Sequence, residues 1–270
     1  MKTKIALLEN IHPVAGELLR AQGFDVQMFK HSPSDAEIIS TLSEVQVLGI
    51  RSKTRLKAEV LAKLKNLELI GAFCIGTDQV DLKAAMNLGV PVFNAPYSNT
   101  RSVAELVLCE IIALARQLGD RSMAAHKGIW LKNAEGSHEI RGKTLGIIGY
   151  GHIGSQVSIL AENFGMKVLY FDVAKKLPLG NSQSCDSLGE VLNRADFITL
   201  HVPDTAQTRL MIGEAQLSQM KKGSFLINAS RGTVVDIKAL SEKLRSKFIA
   251  GAAVDVFPQE PASNQDKFVS

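Results

Sequence analysis

From Thr144 to Gly154 the chain reads Thr-Leu-Gly-Ile-Ile-Gly-Tyr-Gly-His-Ile-Gly, and the next apolar stretch, Lys167-Val-Leu-Tyr-Phe171, stops at Asp172. An apolar run that ends in clustered glycines and resumes one helix later fits a strand, a tight turn, a helix and a second parallel strand. Gly149 supplies the turn, Gly151 lets backbone N–H groups approach a pyrophosphate, and Gly154 lets the helix pack closely on the strand. His152 and Ile153 lie inside this turn, at the start of a helix whose unpaired N–H groups and dipole favour an anion. Asp172 follows about twenty residues on, where a carboxylate accepts from ribose hydroxyls and repels a 2′-phosphate. The expected cofactor is therefore NAD rather than NADP. Lys175 and Lys176 could meet a 2′-phosphate, but they lie beyond the strand end that Asp172 occupies. The bland alternative is a turn whose glycines serve packing alone, and the full strand-turn-helix-strand-acid context argues against it.

A chain of 270 residues with 46% hydrophobic content has room for two packed domains. The formal net charge of +4 suits a small anionic substrate and is too slight and dispersed for nucleic acid. The longest apolar stretch, Val103 to Ala115, contains Glu105 and Glu110 and is too short to span a bilayer. The N-terminus reaches Glu9 too soon for a signal peptide and alternates like a first strand. The expectation is a cytoplasmic protein without membrane or nucleic-acid partners. Cys74, Cys109 and Cys185 are too widely spaced for a disulfide framework or a metal pair, so buried thiols and no metal site are expected.

The first ninety-odd residues alternate short apolar runs with amphipathic helical patterns, with Gly23, Gly49, Gly76 and Gly89 marking strand ends. A second such series starts near Gly142, with strands expected at Thr144–Ile148, Val168–Phe171, Phe197–Leu200, Ser224–Asn228 and Gly251–Asp255. Between the series a helix from Ser102 to about Leu118 is the natural connector, with Ser102 and Glu105 spaced as a capping box. The fold class is α/β with two parallel-sheet domains: a flavodoxin-like substrate-binding domain over 1–98 and a Rossmann-type NAD-binding domain over 99–270.

Five segments carry a resemblance: Cys74-Ile-Gly-Thr-Asp-Gln-Val-Asp81, Asn94-Ala-Pro-Tyr-Ser-Asn-Thr-Arg-Ser-Val-Ala-Glu105, Gly146 to Gly154, Leu226-Ile-Asn-Ala-Ser-Arg-Gly-Thr-Val-Val-Asp236, and Ala253-Val-Asp-Val-Phe-Pro-Gln-Glu-Pro261. Over essentially its whole length the chain resembles the D-isomer-specific 2-hydroxyacid dehydrogenases, most closely the branch that oxidises D-3-phosphoglycerate to 3-phosphohydroxypyruvate, the first step of serine biosynthesis. The resemblance implies NAD-dependent hydride transfer on a small anionic 2-hydroxy or 2-oxo acid, and a homodimer or homotetramer. Other readings are a hydroxypyruvate, glyoxylate, 2-oxoglutarate or D-lactate type reductase, or a non-catalytic NAD(H)-sensing protein.

Arg231 follows an expected strand directly, and a guanidinium there can grip a carboxylate bidentately and polarise the adjacent ketone. On the residues alone a surface ion pair is as good an account; the resemblance favours substrate, with Ala229 and Ser230 of the same motif beside the cofactor. Glu260, between Pro258 and Pro261, reads as a solvated acid until the resemblance makes it the carboxylate that orients an imidazole and raises its pKa. Asp255 is implied to contact the nicotinamide amide, a strand-end cap being its bland alternative. Arg51-Ser52-Lys53 opens a segment with a cation at every second position; extended, Arg51, Lys53 and Arg55 would share one face and meet a phosphate. A solvated basic loop competes with that on the residues alone. Ile75 and Gly76 are implied to offer N–H groups to the substrate carboxylate.

The family's general acid, a histidine in His-x-Gly-Gly, is expected beyond the Glu260 loop, and none of the six histidines replaces it convincingly. His201 ends an expected strand and reads as structural or adenine-side. Two readings of the end follow, a longer enzyme or a truly short protein, and the expectation is the first, with a returning segment beyond this sequence completing the first domain.

Overall fold

Short apolar runs alternate with helices through the first part of the chain: β1 (Lys4–Leu7), α1 (Pro13–Ala21), β2 (Asp25–Met28), α2 (Asp35–Thr41), β3 (Val47–Ile50), α3 (Ala58–Leu61), β4 (Leu69–Ala72), α4 (Leu82–Asn87) and β5 (Val92–Asn94). The strands pair in parallel in the order β2-β1-β3-β4-β5, a flavodoxin-like order. Strands covered on both faces read as continuous apolar runs, and Leu48, Ile50 and Ile70 are fully buried among Leu8, Ile38 and Leu42. Each such side chain contributes roughly 1.5–3 kcal/mol of burial. Ser34 and Asp81 cap α2 and α4, accepting from the N–H groups of Glu37 and Ala84. The computed structural model describes residues 2–259, and the chain divides into two units, Met1–Asn99 and Thr100–Ser270.

The second unit runs α5 (Thr100–Ala115), α6 (Leu118–His126), β6 (Thr144–Ile148), α7 (His152–Asn163), β7 (Lys167–Phe171), β8 (Gln183–Ser184), α8 (Leu188–Arg194), β9 (Phe197–Leu200), α9 (Glu214–Gln219), β10 (Phe225–Asn228), a 3₁₀ turn (Gly232–Val234), α10 (Ile237–Arg245) and β11 (Gly251–Val254). Its parallel sheet has the order β11-β10-β9-β6-β7-β8. From β6 the chain moves outward to β7 and β8, then crosses back to β9 on the other side of β6. The turn after β6 therefore sits where the strand order reverses, the place at which such sheets bind ligands.

Several expectations are corrected. The connector helix starts at Thr100 and ends at Ala115, because Gln117 takes a left-handed φ of 54° and α6 begins after it. Ser102 lies inside α5 instead of capping it, and Glu105 pairs with Arg101 one turn back at 2.6 Å. Gly49 lies within β3, where a Cβ would press on Leu7 and on Phe73 at 3.1 Å, so it serves packing and does not mark a strand end. Gly23 and Gly89, at φ 91° and 70°, do follow helices in the left-handed conformation. Only Cys185 is buried; Cys74 is half-buried and Cys109 is exposed. The two-residue β8 was not anticipated, being too short for any periodicity. Among the described residues no helix is long and apolar enough to cross a membrane.

Candidate nucleotide and substrate sites

The glycine turn is built as a cradle. Gly149 has φ 93°, and a Cβ there would run into the carbonyl of His201. A Cβ on Gly154 would meet the Gly149 carbonyl and, at 3.1 Å, Ile147. Gly151 differs: it is the N-cap residue of α7 and has open space where its Cβ would lie. Ile153 is half-buried against the core and His152 is exposed at the first helical position. The backbone N–H of Tyr150 donates to Asp172 Oδ2 at 2.8 Å and that of Ala174 donates to Asp172 Oδ1 at 2.8 Å. Each carboxylate oxygen has a second lone pair, so both can still accept from a ribose diol. The open face at Gly151, the N-terminal end of α7 and the carboxylate at the end of β7 together fit NAD.

Tyr150 is a residue that reading the turn as glycines overlooked. Its ring is buried and stacks on Tyr170 at 3.8 Å between centroids, and its hydroxyl reaches Ser158 at 3.1 Å and Ser182 at 2.9 Å. The residue between the two glycines thus pins the turn to the sheet.

Arg231 lies three residues past the carboxyl end of β10, as expected. The fully buried Asn228 holds its loop: the side-chain carbonyl accepts from the Ser230 N–H (3.1 Å) and hydroxyl (2.9 Å), and the amide donates to the Arg231 carbonyl at 3.1 Å. Ala229 packs against the core and Ser230 is buried. Arg231 Nη1 donates to the Ser230 carbonyl at 2.8 Å, which aims a half-buried guanidinium. Asn228 was missed; its signal is an amide closing an otherwise apolar strand. Asp255 falls just past β11, exposed, its N–H bonded to the Asn228 carbonyl at 3.0 Å. Glu260 lies outside the described residues.

In the first unit Arg51, Ser52 and Lys53 leave the carboxyl end of β3 with exposed side chains. The extended run is not formed: the chain bends at Ser52 and Lys53, which removes the alternate-face argument. The cause is Glu9, whose carboxylate accepts from the backbone N–H groups of Arg51 (2.9 Å), Lys53 (2.8 Å) and Thr54 (2.9 Å) and so curls the loop around itself. Burial pushes the Glu9 carboxyl up, but the hydrogen bonds from Lys53, Thr54 and Arg51 outweigh it and hold the group below the ordinary glutamate value. Arg51 lines a cavity of about 390 Å³ with Asn10, His12 and Phe73, at the carboxyl ends of β1, β3 and β4 and the start of α1; Ser52 and Lys53 do not line it. After β4, the Ile75 carbonyl accepts from Asn94 Nδ2 at 2.6 Å and the Gly76 carbonyl from Gln79 Nε2 at 3.3 Å.

His201 is unsuited to proton donation. Its Nε2 lies 3.0 Å from Thr199 Oγ1, its Nδ1 is buried without a partner among the described residues, and burial pushes its pKa down to about 4. It stays neutral at neutral pH. No group of three or more potential metal ligands occurs among the described residues.

Residues 108–270 match the model of the D-isomer specific 2-hydroxyacid dehydrogenase, NAD binding domain. The chain is 57% identical over 263 residues to D-3-phosphoglycerate dehydrogenase of Dictyostelium discoideum, covering 97% of this chain and 65% of that one. It is 51% identical over 270 residues to D-3-phosphoglycerate dehydrogenase of Escherichia coli K12, covering 100% and 66%. The chain thus spans just under two thirds of the length of these curated relatives. Among solved structures it is similar to D-lactate dehydrogenase from Aquifex aeolicus complexed with NAD and lactic acid, with a TM-score of 0.83, 30% identity, and coverage of 94% of this chain and 77% of that one. A parallel sheet with its glycine cradle at the switch point, a carboxylate closing the next strand, and these matches make the chain a member of the D-isomer-specific 2-hydroxyacid dehydrogenase family, carrying that family's NAD-binding domain.

Proposed function

We propose that the protein catalyses the reversible NAD-dependent oxidation of D-3-phosphoglycerate to 3-phosphohydroxypyruvate, the first step of serine biosynthesis, in the cytoplasm as a homodimer or homotetramer. The observation that carries this reading is Arg231, half-buried at the carboxyl end of β10 with its loop fastened by Asn228. Its guanidinium binds the substrate carboxylate and stabilises negative charge on the C2 oxygen as the proton leaves. NAD supplies the hydride acceptor when bound. Gly149, Gly151, His152, Ile153 and Gly154 hold its pyrophosphate and Asp172 its ribose, while Ala229, Ser230 and Asp255 flank the nicotinamide end. Ile75 and Gly76 assist at the substrate carboxylate, and Arg51, Ser52 and Lys53 receive the phosphate. Glu260 tunes the proton-exchanging imidazole. The choice of a phosphorylated acid is supported by Arg51 in its cavity and by the names of the two curated relatives.

The test compares kcat/KM of the full-length protein for D-3-phosphoglycerate, D-glycerate, D-lactate and D-2-hydroxyglutarate with NAD. The reading expects the phosphorylated acid to lead by about 10² or more, and Arg51→Glu to erase that lead while sparing the unphosphorylated acids. An unphosphorylated acid in the lead would assign a different 2-hydroxyacid. No turnover, together with an NADH-dependent protein partner, would assign a sensor.

A further inference from the structure

Two buried polar side chains of the first unit, Glu9 and Gln79, close on the same loop from opposite chemical sides. Glu9 accepts from three of its N–H groups, those of Arg51, Lys53 and Thr54. Gln79 Nε2 donates to the Arg51 carbonyl at 2.9 Å, and the same nitrogen reaches the Gly76 carbonyl at 3.3 Å and Cys74 Sγ at 3.2 Å. Thr54, itself buried, bonds Ser32 Oγ at 2.9 Å. One amide therefore links the segment after β3 to the segment after β4, the two segments assigned to the ends of the substrate. Glu9 reaches this place at some strain: it and Asn10 both take left-handed φ values, 58° and 53°, which non-glycine residues rarely adopt. The Glu9 and Asn10 N–H groups are fixed in turn by the carbonyls of His31 and Phe29, both at 3.0 Å.

A loop whose N–H groups converge on one point is an anion-binding concavity. Here that concavity is filled by the protein's own carboxylate, so the three N–H groups are not offered to a substrate. An incoming anion must be met by the side chains of the loop, of which Arg51, Ser52 and Lys53 are exposed while Thr54 is buried. We infer that Glu9 and Gln79 are positioning residues: together they hold the Arg51–Thr54 loop in the curled conformation that presents Arg51, Ser52 and Lys53 to the substrate's anionic end, in register with Ile75 and Gly76. The inference rests on the substrate placement proposed above and adds to it the two residues on which that placement depends.

The device predicts a split between binding and turnover. In the full-length protein Glu9→Gln swaps one acceptor oxygen for an NH₂ that faces N–H donors, and Gln79→Ala releases the Arg51 carbonyl. Each variant raises KM for D-3-phosphoglycerate by ~10–100-fold, with kcat changed less than about threefold and the Kd for NADH unchanged, since the cofactor residues lie on other segments. Glu9→Asp, which keeps the carboxylate on a shorter stem, recovers part of the loss. Hydrogen exchange at the Lys53 and Thr54 amides accelerates in Glu9→Gln. Should Glu9→Gln fail to fold, Gln79→Ala and Gln79→Glu carry the same KM test. Folded variants with wild-type KM, or with KM raised only in proportion to a loss of NADH binding, overturn the inference. If the wild-type protein favours an unphosphorylated acid, the substrate reading fails on its own. The positioning role is then judged by the same variants on that acid, standing if its KM rises and falling if it does not.

Discussion

Tyr150 donates its backbone N–H to Asp172 Oδ2 at 2.8 Å, so the glycine turn after β6 and the acid after β7 form one hydrogen-bonded unit. Asp172 thereby fixes the turn, and in the proposed function it also faces the ribose. Asp172→Asn places an amide among these N–H donors and removes the charge that repels a 2′-phosphate. Steady-state kinetics with both cofactors should show kcat/KM for NAD falling about tenfold or more, roughly 1.4 kcal/mol, and the NAD-to-NADP preference shrinking. An unchanged preference would exclude Asp172 as the discriminating residue.

Two glycines of the turn separate by experiment. Gly154→Ala drives a methyl group into the Gly149 carbonyl and Ile147, and thermal or urea unfolding should show a loss of ~1–3 kcal/mol. Gly151→Ala enters open space, so its stability cost stays below about 1 kcal/mol, the scale of an N-cap change. Its damage should appear in calorimetric NADH binding. Comparable stability losses in the two variants would contradict this division of labour.

Asn228 predicts a coupled loss. Asn228→Ala leaves the Ser230 N–H without the amide oxygen it donates to, at a cost of ~1–3 kcal/mol, while the Arg231 carbonyl keeps the Val234 N–H at 3.2 Å. Denaturant unfolding should register a loss of about 1–3 kcal/mol, and kcat/KM should drop because Arg231 is no longer aimed. A variant as active as wild type would show that the loop holds its shape by other means.

Glu110 on α5 predicts a pH effect on stability. Burial first, and the nearby Asp255 second, push its carboxyl up to about 7 from an ordinary 4.5, and its Oε2 has no hydrogen-bond partner among the described residues. Between those values the folded state holds a proton that the unfolded state has released. Stability contributed at this site therefore declines as pH rises from about 4.5 to about 7, and the whole penalty is present above that window. Glu110→Gln carries no such penalty, so its unfolding free energy should gain on the wild type across the same window. Parallel pH profiles for the two proteins would refute the shift.

Much of the fold and the site is legible in the order of the amino acids. The succession of strands and helices follows from alternating apolar runs, and Gly149, Gly151, Gly154, Asp172 and Arg231 announce themselves because each sits at a fixed offset from a strand end. Ser102 with Glu105 misleads, since a capping box is a local pattern and the nearby Arg101 offers Glu105 a better partner. The basic run from Arg51 misleads for a related reason: alternation shows a shared face only in an extended chain, and a carboxylate more than forty residues earlier curls this one.

Local pattern is thus enough for the α/β class, the nucleotide turn and the arginine after β10, because backbone geometry and strand-end position act within a few residues. Tertiary structure alone decides that Tyr150 rivets the turn and that Glu9 and Gln79 shape the loop of Arg51. These are hydrogen bonds and ring contacts of buried groups to side chains or backbone on other segments. A buried polar group must find a partner wherever the fold supplies one, and no spacing along the chain reveals which it will be.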